Sequence, residues 1–480
     1  MQYLDQKLLQ YSKEDYYPFH MPGHKRKRLD FPNPYEIDIT EIDGFDNLHH
    51  ATEILKEAQM RAADLYGSKR CFYLVNGSTC GLLAAICAAT RKRDKVLVAR
   101  NCHKAVYHAL SLNELSAEYL YPLITQNDLQ GQITPEQVDA ALTENPDITV
   151  VVMTSPTYEG IVSDIEGIAD AAHRHQVPLI VDAAHGAHLG FGNGFPENPV
   201  KQGADAIIMS LHKTLPSFTQ TALLHLTSDW ISVAEVERYL GIFETSSPSY
   251  LFMAGMDACI RLLQDQGQEL FSRYRGFLDK FYQDALELKH LHVLAKSDLN
   301  KEDSFDWDDS KLVIFTGSTG LSGEELHEIL LEKYHLQMEM VSGSYVLGMT
   351  SIMDDEEGFS RLLEALREID ADATPEKAGD SQEEAGNSRD FIRRMYRTNP
   401  REMQIYQAAE LPWMEASFEE AVGKMAAGYV FLYPPGIPMI VPGEIITHDF
   451  IENIRECRQR KLRVEGISDL AFERIKIVYF

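Results

Sequence analysis

Lys213, in the segment Ser210-Leu211-His212-Lys213-Thr214, is a residue that is placed to do covalent chemistry. It follows the apolar run Ala206–Ser210, which predicts a buried strand, so the amine of Lys213 is expected at the ligand-binding edge of a sheet. A second apolar strand ends at Asp182, where a carboxylate is unexpected in a purely hydrophobic core. An amine and a carboxylate at strand ends predict a ligand site.

A turn rich in hydroxyl groups lies between an expected strand, Cys71–Asn76, and an expected helix, Gly81–Thr90. Its residues 76–79 (Asn-Gly-Ser-Thr) offer side-chain hydroxyls and the free backbone N–H groups of a helix start, which together bind phosphate. Ser210 and His212 are placed to complete the same site. The turn therefore predicts a ligand that carries a phosphate group.

His103 follows the expected strand Lys95–Ala99 and is placed to lie flat against an aromatic ring. Each feature has an ordinary alternative: His103 as a capping or surface residue, Asp182 as a helix cap or loop residue, and Lys213 as a lysine without a catalytic role. Their order along the chain nevertheless fits the site of one cofactor. A carboxylate that keeps a pyridine nitrogen protonated makes the ring an electron sink, so we predict a pyridoxal-5′-phosphate (PLP) enzyme.

The elements that must position these residues follow from the apolar pattern. Short apolar runs separated by helix-length segments predict buried parallel strands of a doubly wound α/β sheet. The expected strands are Cys71–Asn76, Lys95–Ala99, Ile148–Thr154, Pro178–Asp182, Ala206–Ser210 and Thr221–Leu226. Three- and four-residue apolar spacing predicts the helices Ala51–Tyr66, Gly81–Thr90, Pro135–Leu142 and Ile165–His175.

The pattern changes after about residue 290, where a smaller α+β unit is expected. Its predicted elements are the strand Leu312–Thr316, the helix Gly323–Lys333, the strands Gln337–Val341 and Tyr345–Met349, and the helix Glu356–Ile369. In the last part of the chain we expect a helix at Phe418–Met425 and a proline-stiffened loop at Tyr433–Glu444. The predicted division is an N-terminal arm (1–50), a PLP-binding large domain (51–285), a small α+β domain (286–370), a polar linker (371–390) and a C-terminal α+β domain (391–480).

The charge of the chain disfavours some classes of partner. Its 480 residues include 45 basic and 73 acidic ones, for a formal net charge of −28, which repels nucleic acid and anionic lipid. The same charge suits a cationic substrate, although solubility is the simpler explanation and we favour it. The basic run at residues 24–28 is interpreted as a solvated arm or a subunit contact, because no basic helix face or aromatic platform accompanies it.

The N-terminus and the cysteines bear on the compartment. Residues 1–5 lack the positive flank and apolar core of a signal peptide, and no run of about 20 apolar residues occurs in the sequence. The six cysteines lie in apolar runs, without a Cys-x-x-Cys pair or a histidine spacing that indicates zinc. We expect a cytoplasmic protein with reduced core cysteines, no metal and no membrane segment.

Seven short segments, in order along the chain, form a recognisable set. They are His20–Lys25 (HMPGHK), Asp38–Leu48 (DITEIDGFDNL), Asn76–Thr79 (NGST), Arg100–Lys104 (RNCHK), Val181–Gly186 (VDAAHG), Ser210–Lys213 (SLHK) and Tyr433–Glu444 (YPPGIPMIVPGE). With them the chain resembles, over nearly its whole length, the Orn/Lys/Arg decarboxylase family of the PLP fold type I (aspartate aminotransferase-like) superfamily. The expected fold is therefore a fold type I large domain with a mostly parallel sheet, followed by two smaller α+β domains.

The resemblance implies roles for individual residues. Lys213 carries the cofactor covalently, Asp182 contacts the pyridine nitrogen, and His103 stacks on the ring. The other cofactor-binding residues that it implies are Ser78, Thr79, His185, Ser210 and His212, with Ser246 reaching the phosphate of a partner subunit. It therefore implies a homodimer or higher homo-oligomer with shared active sites.

The resemblance is closest to short biosynthetic members of the family, which lack an N-terminal wing domain and feed polyamine synthesis. It implies decarboxylation of a basic L-amino acid, with arginine favoured and lysine or ornithine next, and with reprotonation of the α-carbon by Lys213 or His212. Ala105 departs from the family pattern, since a serine is expected there. Assemblies built through the wing domain are not implied.

Two other functions stay open at this point. An aminotransferase of the same fold needs an arginine that clamps the substrate α-carboxylate. Arg361 and Arg367 lie on the polar face of a predicted helix, and the strand Tyr345–Met349 carries no arginine, which favours the decarboxylase. A regulator that keeps PLP without catalysis is opposed by the intact Lys213 and Asp182.

The distal cation of a basic substrate needs a carboxylate, because a buried cation must be paired. Glu444 is the first candidate, although it is equally suited to cap the helix expected to begin near Thr447. Asp43 and Asp46 are weaker candidates.

Overall fold

The structure is a computed structural model of the chain. It describes residues 3–27, 29–373, 399–432, 436–459, 462–468 and 473–479. The predicted linker falls largely outside these ranges.

The N-terminal segment is part of the folded body. It contains helix α1 (Leu4–Tyr11), strand β1 (Tyr17–Phe19) and helix α2 (Pro34–Ile37). Strand β1 pairs in parallel with Leu336–Met338, more than 300 residues later in the chain. The segment therefore joins the start of the chain to the small α+β unit.

Lys25 corrects the interpretation of the basic run at residues 24–28. Its side chain is buried, and its Nζ donates to the carbonyl oxygens of Pro18, His20 and Met349 at 3.0, 3.0 and 2.6 Å. The carboxylate of Asp354 lies 3.9 Å from the same Nζ. The prediction of a solvated arm is therefore wrong for Lys25, because residues from a distant part of the sequence pack over its side chain.

A seven-stranded sheet forms the centre of the large domain. The strands of this part of the chain are β2 (Arg70–Leu74), β3 (Lys95–Ala99), β4 (Ser116–Leu120), β5 (Ile148–Thr154), β6 (Ile161–Val162), β7 (Leu179–Asp182), β8 (Ala206–Met209) and β9 (Ala222–Leu226). All of them except β6 form the sheet, in the order β2-β9-β8-β7-β5-β3-β4, and only β9 runs antiparallel to the strands on both of its sides. The prediction of a mostly parallel sheet is confirmed.

Helices precede, connect and follow these strands. They are α3 (Ile54–Tyr66), α4 (Gly77–Ala89), α5 (Lys104–Leu112), α6 (Pro135–Glu144), α7 (Ile165–Arg174), α8 (Leu211–Thr214), α9 (Val233–Phe243) and α10 (Tyr250–Ala285). Helix α6 begins with a capping box, in which the side chains of Thr134 and Gln137 each accept from the other's backbone N–H, and with Pro135 as its first residue. Such local signals explain why the helix starts were predictable to within a few residues.

The small α+β unit follows α10. Its elements are β10 (His292–Val293), β11 (Asp306–Trp307), β12 (Lys311–Phe315), α11 (Gly323–Glu332), β13 (Leu336–Met338), β14 (Met340–Val341), β15 (Tyr345–Met349) and α12 (Glu356–Ala371). Four of its strands form an antiparallel sheet in the order β10-β12-β15-β14. The predicted strand Gln337–Val341 is two strands, because β13 pairs with β1 whereas β14 pairs with β15.

The C-terminal part has a core of its own, built around Phe418, Ile440, Phe450 and Ile454. Its elements are α13 (Ile405–Ala409), β16 (Trp413–Ser417), α14 (Phe418–Ala421), β17 (Val430–Leu432), β18 (Ile437–Ile440), α15 (His448–Gln459), β19 (Val464–Glu465) and β20 (Arg474–Val478). The helix predicted at Phe418–Met425 is wrong beyond Ala421, since Gly423 adopts a φ of +77° and Met425 bridges to Ile445. The proline-rich loop contains strand β18.

The six cysteines are free and buried, as predicted. Among the residues that the structure describes, no helix has the length and apolar content needed to cross a membrane.

Candidate active site

A cavity of about 310 Å³ lies at the carboxyl ends of the strands of the large sheet. The predicted site residues that line it are Ser78, Thr79, His103, Asp182, His185, Ser210, His212 and Lys213. Met21 from the N-terminal segment and Ile437 from the C-terminal part line it as well. A larger cavity, of about 410 Å³, is lined by neither Lys213 nor Asp182, so volume alone does not identify the site.

Lys213 and Asp182 come together because β7 and β8 are neighbours in the sheet. Asp182 is the last residue of β7, and Lys213 lies on α8 directly after β8. Asp182 is buried, and its Oδ1 accepts from the Ala184 N–H at 3.1 Å. Burial raises the pKa of Asp182, against the charge of Lys213, and burial lowers the pKa of Lys213, against the charge of Asp182.

Lys213 also contacts a histidine whose charge is suppressed. Its Nζ lies 3.1 Å from Nε2 of His185. Burial, reinforced by Lys213, holds the pKa of His185 well below its usual value. The Nδ1 atom of His185 is buried without a hydrogen-bond partner among the described residues. A neutral imidazole beside the amine can accept a hydrogen bond from Lys213 without placing a second buried cation next to it.

His103 caps helix α5 and lines the cavity at the same time. Its Nδ1 accepts from the Ala105 N–H at 3.2 Å, so a neutral His103 carries its proton on Nε2. Burial, together with the charge of Lys213, lowers the pKa of His103 to about 3. His103 therefore both caps a helix, which was the alternative left open by the sequence, and lines the cavity. The ring is uncharged at neutral pH.

The turn before α4 and the start of α8 face each other across one end of the cavity. The hydroxyls of Ser78 and Ser210 lie 2.7 Å apart. Asn76, the N-cap residue of α4, makes no capping hydrogen bond with its side chain, so the first-turn N–H groups of α4 keep their capacity to bind an anion. His212 donates from Nδ1 to the Thr221 carbonyl at 2.9 Å, and burial lowers its pKa to about 4.

Sequence reasoning missed part of the lining. The additional polar residues are Asn101, Gln130, Thr154, Thr157, Tyr158 and Glu159. Glu159 comes shortly after the carboxyl end of β5, so the strand-end signal that identified Asp182 was available for it too. Gln130 lies in an irregular segment after β4, and no sequence pattern marked it.

Three predicted residues lie away from the cavity lining. Glu444 is buried, and its carboxylate pairs with the Arg100 guanidinium at 3.3 Å and accepts from the Val441 N–H at 3.0 Å. It therefore neither lines the cavity nor caps α15. Asp43 is exposed, and so is Ser246, whose predicted contact belongs to a partner subunit and stays a prediction.

Asp46, a weaker candidate, has a structural role. Its carboxylate accepts backbone N–H groups of Asn47, Thr52, Glu53 and Leu55 before and at the start of α3. Burial opposes ionisation, but these donors hold the pKa of Asp46 below its usual value.

Comparison with known proteins identifies the family. The profile of "Orn/Lys/Arg decarboxylase, major domain" matches residues 3–281, and that of "Orn/Lys/Arg decarboxylase, C-terminal domain" matches residues 390–465. The chain belongs to the Orn/Lys/Arg decarboxylase family. An arginine decarboxylase of Bacillus anthracis is 28% identical over 482 residues, covering 98% of this chain and 96% of the relative. The prediction of an enzyme that decarboxylates basic amino acids is confirmed at the level of the family.

Solved structures agree on the fold of this family member. The constitutive lysine decarboxylase of Escherichia coli has a TM-score of 0.79 at 19% identity and covers 99% of this chain and 81% of its own. A ureidoglycine-glyoxylate aminotransferase of Bacillus subtilis has a TM-score of 0.57 at 14% identity, covering 76% of this chain and 97% of its own. The predicted fold class is confirmed.

Proposed function

We propose that this protein uses PLP to decarboxylate L-arginine to agmatine and CO₂, with lysine and ornithine as weaker alternatives. The observation that carries the proposal is the convergence of Lys213, Asp182 and His103 in one cavity. Membership of the decarboxylase family and the arginine decarboxylase among its relatives support the substrate class. The compartment and the shared dimeric site remain predictions.

The residues of the cavity fit PLP. The paired hydroxyls of Ser78 and Ser210 and the uncapped start of α4 suit a phosphate group. Asp182 suits a protonated pyridine nitrogen, and the neutral ring of His103 suits the face of an aromatic ring. When bound, PLP supplies an electron sink for the pair released at the α-carbon as CO₂ leaves.

The chain's own residues hold and move protons around this chemistry. Lys213 is partly desolvated, so its Nζ gives up a proton more readily than a surface lysine does. His185 Nε2, 3.1 Å away, and the unprotonated Nε2 of His212 are hydrogen-bond acceptors in the same cavity. Lys213 or His212 returns a proton to the α-carbon, which replaces the lost carboxylate.

An aminotransferase fits the cavity less well. Arg361 contacts Asp15 and Arg367 contacts Glu287, both at the surface. The lining of the cavity contains no arginine among the residues that the structure describes. A weakly held α-carboxylate favours decarboxylation, because tight ion pairing stabilises the bond that must break.

The test is CO₂ and amine release from the purified, PLP-loaded protein with arginine, lysine and ornithine offered separately. We expect release from arginine, and loss of release in Lys213→Ala but not in Lys201→Ala, a lysine exposed at the surface. Retained PLP absorbance without release from any of the three would contradict the proposal and favour an aminotransferase or a PLP-binding regulator.

A further inference from the structure

Glu159 is a carboxylate in the cavity without a cationic partner. It lines the cavity together with Asp182, and these two are the only acidic residues in its described lining. Among the described residues Glu159 forms no ion pair, and its side chain accepts from the Tyr345 hydroxyl at 3.1 Å. Burial raises the pKa of Glu159. A desolvated carboxylate of this kind favours a cationic ligand.

Two buried amides line the same cavity. The Oδ1 atom of Asn101 and the Oε1 atom of Gln130 are buried without hydrogen-bond partners in the described structure. Both side chains line the cavity and are more than nine-tenths buried. Buried acceptors without donors are costly, and a ligand with several N–H groups removes that cost.

The sheet brings these acceptors to one side of the site. Asn101 follows β3, Gln130 follows β4 and Glu159 follows β5, and these three strands are adjacent in the order β5-β3-β4. The strands that carry Asp182 and Lys213, β7 and β8, lie on the other side of β5. The acceptors therefore flank the residues assigned to the cofactor.

Besides Asp182, Glu339 is a carboxylate near Lys213, but its oxygens already have partners in the protein. Its carboxylate accepts from the Met21 N–H at 2.8 Å and from the Tyr158 hydroxyl at 2.6 Å. It also lies in the field of two buried lysines, Lys25 and Lys311. Glu159 has hydrogen-bond donors of its own, including the Tyr345 and Thr157 hydroxyls, but no buried lysine stabilises its charge in this way.

We propose that Glu159, with Asn101 and Gln130, binds the distal cationic group of the substrate. A guanidinium offers five N–H donors in a planar fork, whereas an ammonium offers three from one point. One carboxylate and two separate amide oxygens suit the guanidinium better. This inference rests on the proposed function, and it adds a reason for the preference for arginine.

The experiment compares Glu159→Gln with the wild type on charged and neutral substrates. Glutamine keeps the shape of the side chain and an acceptor for Tyr345 but removes the charge. The substrate pair is arginine and citrulline, which replaces the guanidinium by a neutral urea group. We expect the ratio of kcat/KM for arginine to that for citrulline to fall roughly 10- to 100-fold, mainly through KM, since hydrogen bonds to charged groups contribute about 1.5–3 kcal/mol and each 1.4 kcal/mol is tenfold.

Tyr345→Phe separates substrate binding from a purely structural role. It removes the hydroxyl that contacts Glu159 but leaves the carboxylate. If Glu159 serves only to join the two domains through Tyr345, both variants will lower kcat/KM for arginine and citrulline by the same factor, and the inference is wrong. Thermal melting of both variants verifies that each is folded.

A binding measurement keeps this inference distinct from the proposed function. Agmatine is titrated calorimetrically into the PLP-loaded wild type and into Glu159→Gln, with butylamine as the probe that lacks the guanidinium. Tighter agmatine binding that depends on Glu159, without CO₂ release from arginine, would reject the function but retain the inference. If arginine is decarboxylated but the ratio of kcat/KM for arginine to that for citrulline is unchanged in Glu159→Gln, the function is retained and the inference is rejected.

Discussion

Arg100 and Glu444 form a buried ion pair, 3.3 Å between Nη2 and Oε2, that joins the end of β3 to the C-terminal part of the chain. Each charge has further partners: the guanidinium donates to the Tyr107 hydroxyl, and the carboxylate accepts from Asn399 and from the Val441 N–H. The C-terminal part is thus attached to the large sheet close to the cavity, where Ile437 contributes to the lining.

Breaking this pair on one side is expected to destabilise the protein strongly. Glu444→Gln leaves the Arg100 charge buried without its counter-ion, which costs about 3–5 kcal/mol. Asp139→Asn, which breaks an exposed pair with Arg174, is the matched control and should cost less than about 1 kcal/mol. Urea denaturation measures both values.

The same variant tests whether Glu444 binds substrate. Because its carboxylate is engaged by Arg100, KM for arginine should change much less in Glu444→Gln than in Glu159→Gln. A large rise of KM in a stably folded Glu444→Gln would restore Glu444 as the residue that binds the distal cation.

The residues assigned to the cofactor were predictable because each lies at the end of a local element. Asp182 and Lys213 follow apolar runs, and adjacent parallel strands bring such ends together whatever the rest of the fold. Glu444 was not predictable in this way. Its partner Arg100 is 344 residues away in sequence, and their contact depends on how the C-terminal part packs on the sheet.

Strand β4 and Lys25 were missed for a related reason. Strand β4 (SAEYL) is an edge strand with partly exposed residues, so it lacks the continuous apolar run that marked the buried strands. Lys25 sits in a basic run that looks solvated, and only the carbonyl groups folded around it make it a buried residue.

Asp182→Asn should slow the reaction without loss of the cofactor. An amide in place of the carboxylate removes the charge that stabilises a protonated pyridine nitrogen, and removal of one preorganised electrostatic group costs on the order of 100-fold or more in kcat. Single-turnover CO₂ release and the PLP absorbance report on rate and binding separately. Asp229→Asn, at an exposed position, is the control. A fall in PLP occupancy that accounts for the whole rate loss would argue against this role.

Two substitutions of His103 should separate its role in ring stacking from its role in helix capping. His103→Phe keeps a flat ring but removes the Nδ1 acceptor of the Ala105 N–H, which should lower stability by about 1 kcal/mol while PLP is retained. His103→Ala removes both, and loss of an aromatic contact of about 0.5–1.5 kcal/mol should weaken PLP binding by roughly 2- to 10-fold. Equilibrium dialysis of PLP and thermal melting measure the two effects. Equal PLP affinity in the two variants would contradict the stacking role.

Buried neutral histidines should make the protein sensitive to acid. His225 lies away from the cavity, and burial lowers its pKa from 6.5 to about 3. Between these values the unfolded chain binds a proton that the folded protein excludes, so stability is lost progressively as the pH falls from 6.5 toward 3. One such group contributes a slope of up to about 1.4 kcal/mol per pH unit.

His225→Gln should flatten that dependence, because the glutamine side chain does not titrate and offers an amide in place of the ring nitrogen that contacts Ser68 Oγ at 2.9 Å. The measurement is the free energy of unfolding in urea at pH values between 7.5 and 4.5, with the exposed His50→Gln as the control. The wild type and His50→Gln should lose stability with the same slope below pH 6.5, and His225→Gln with a smaller one. Identical slopes in all three would mean that His225 accepts a proton in the folded protein and that its burial is relieved by local opening.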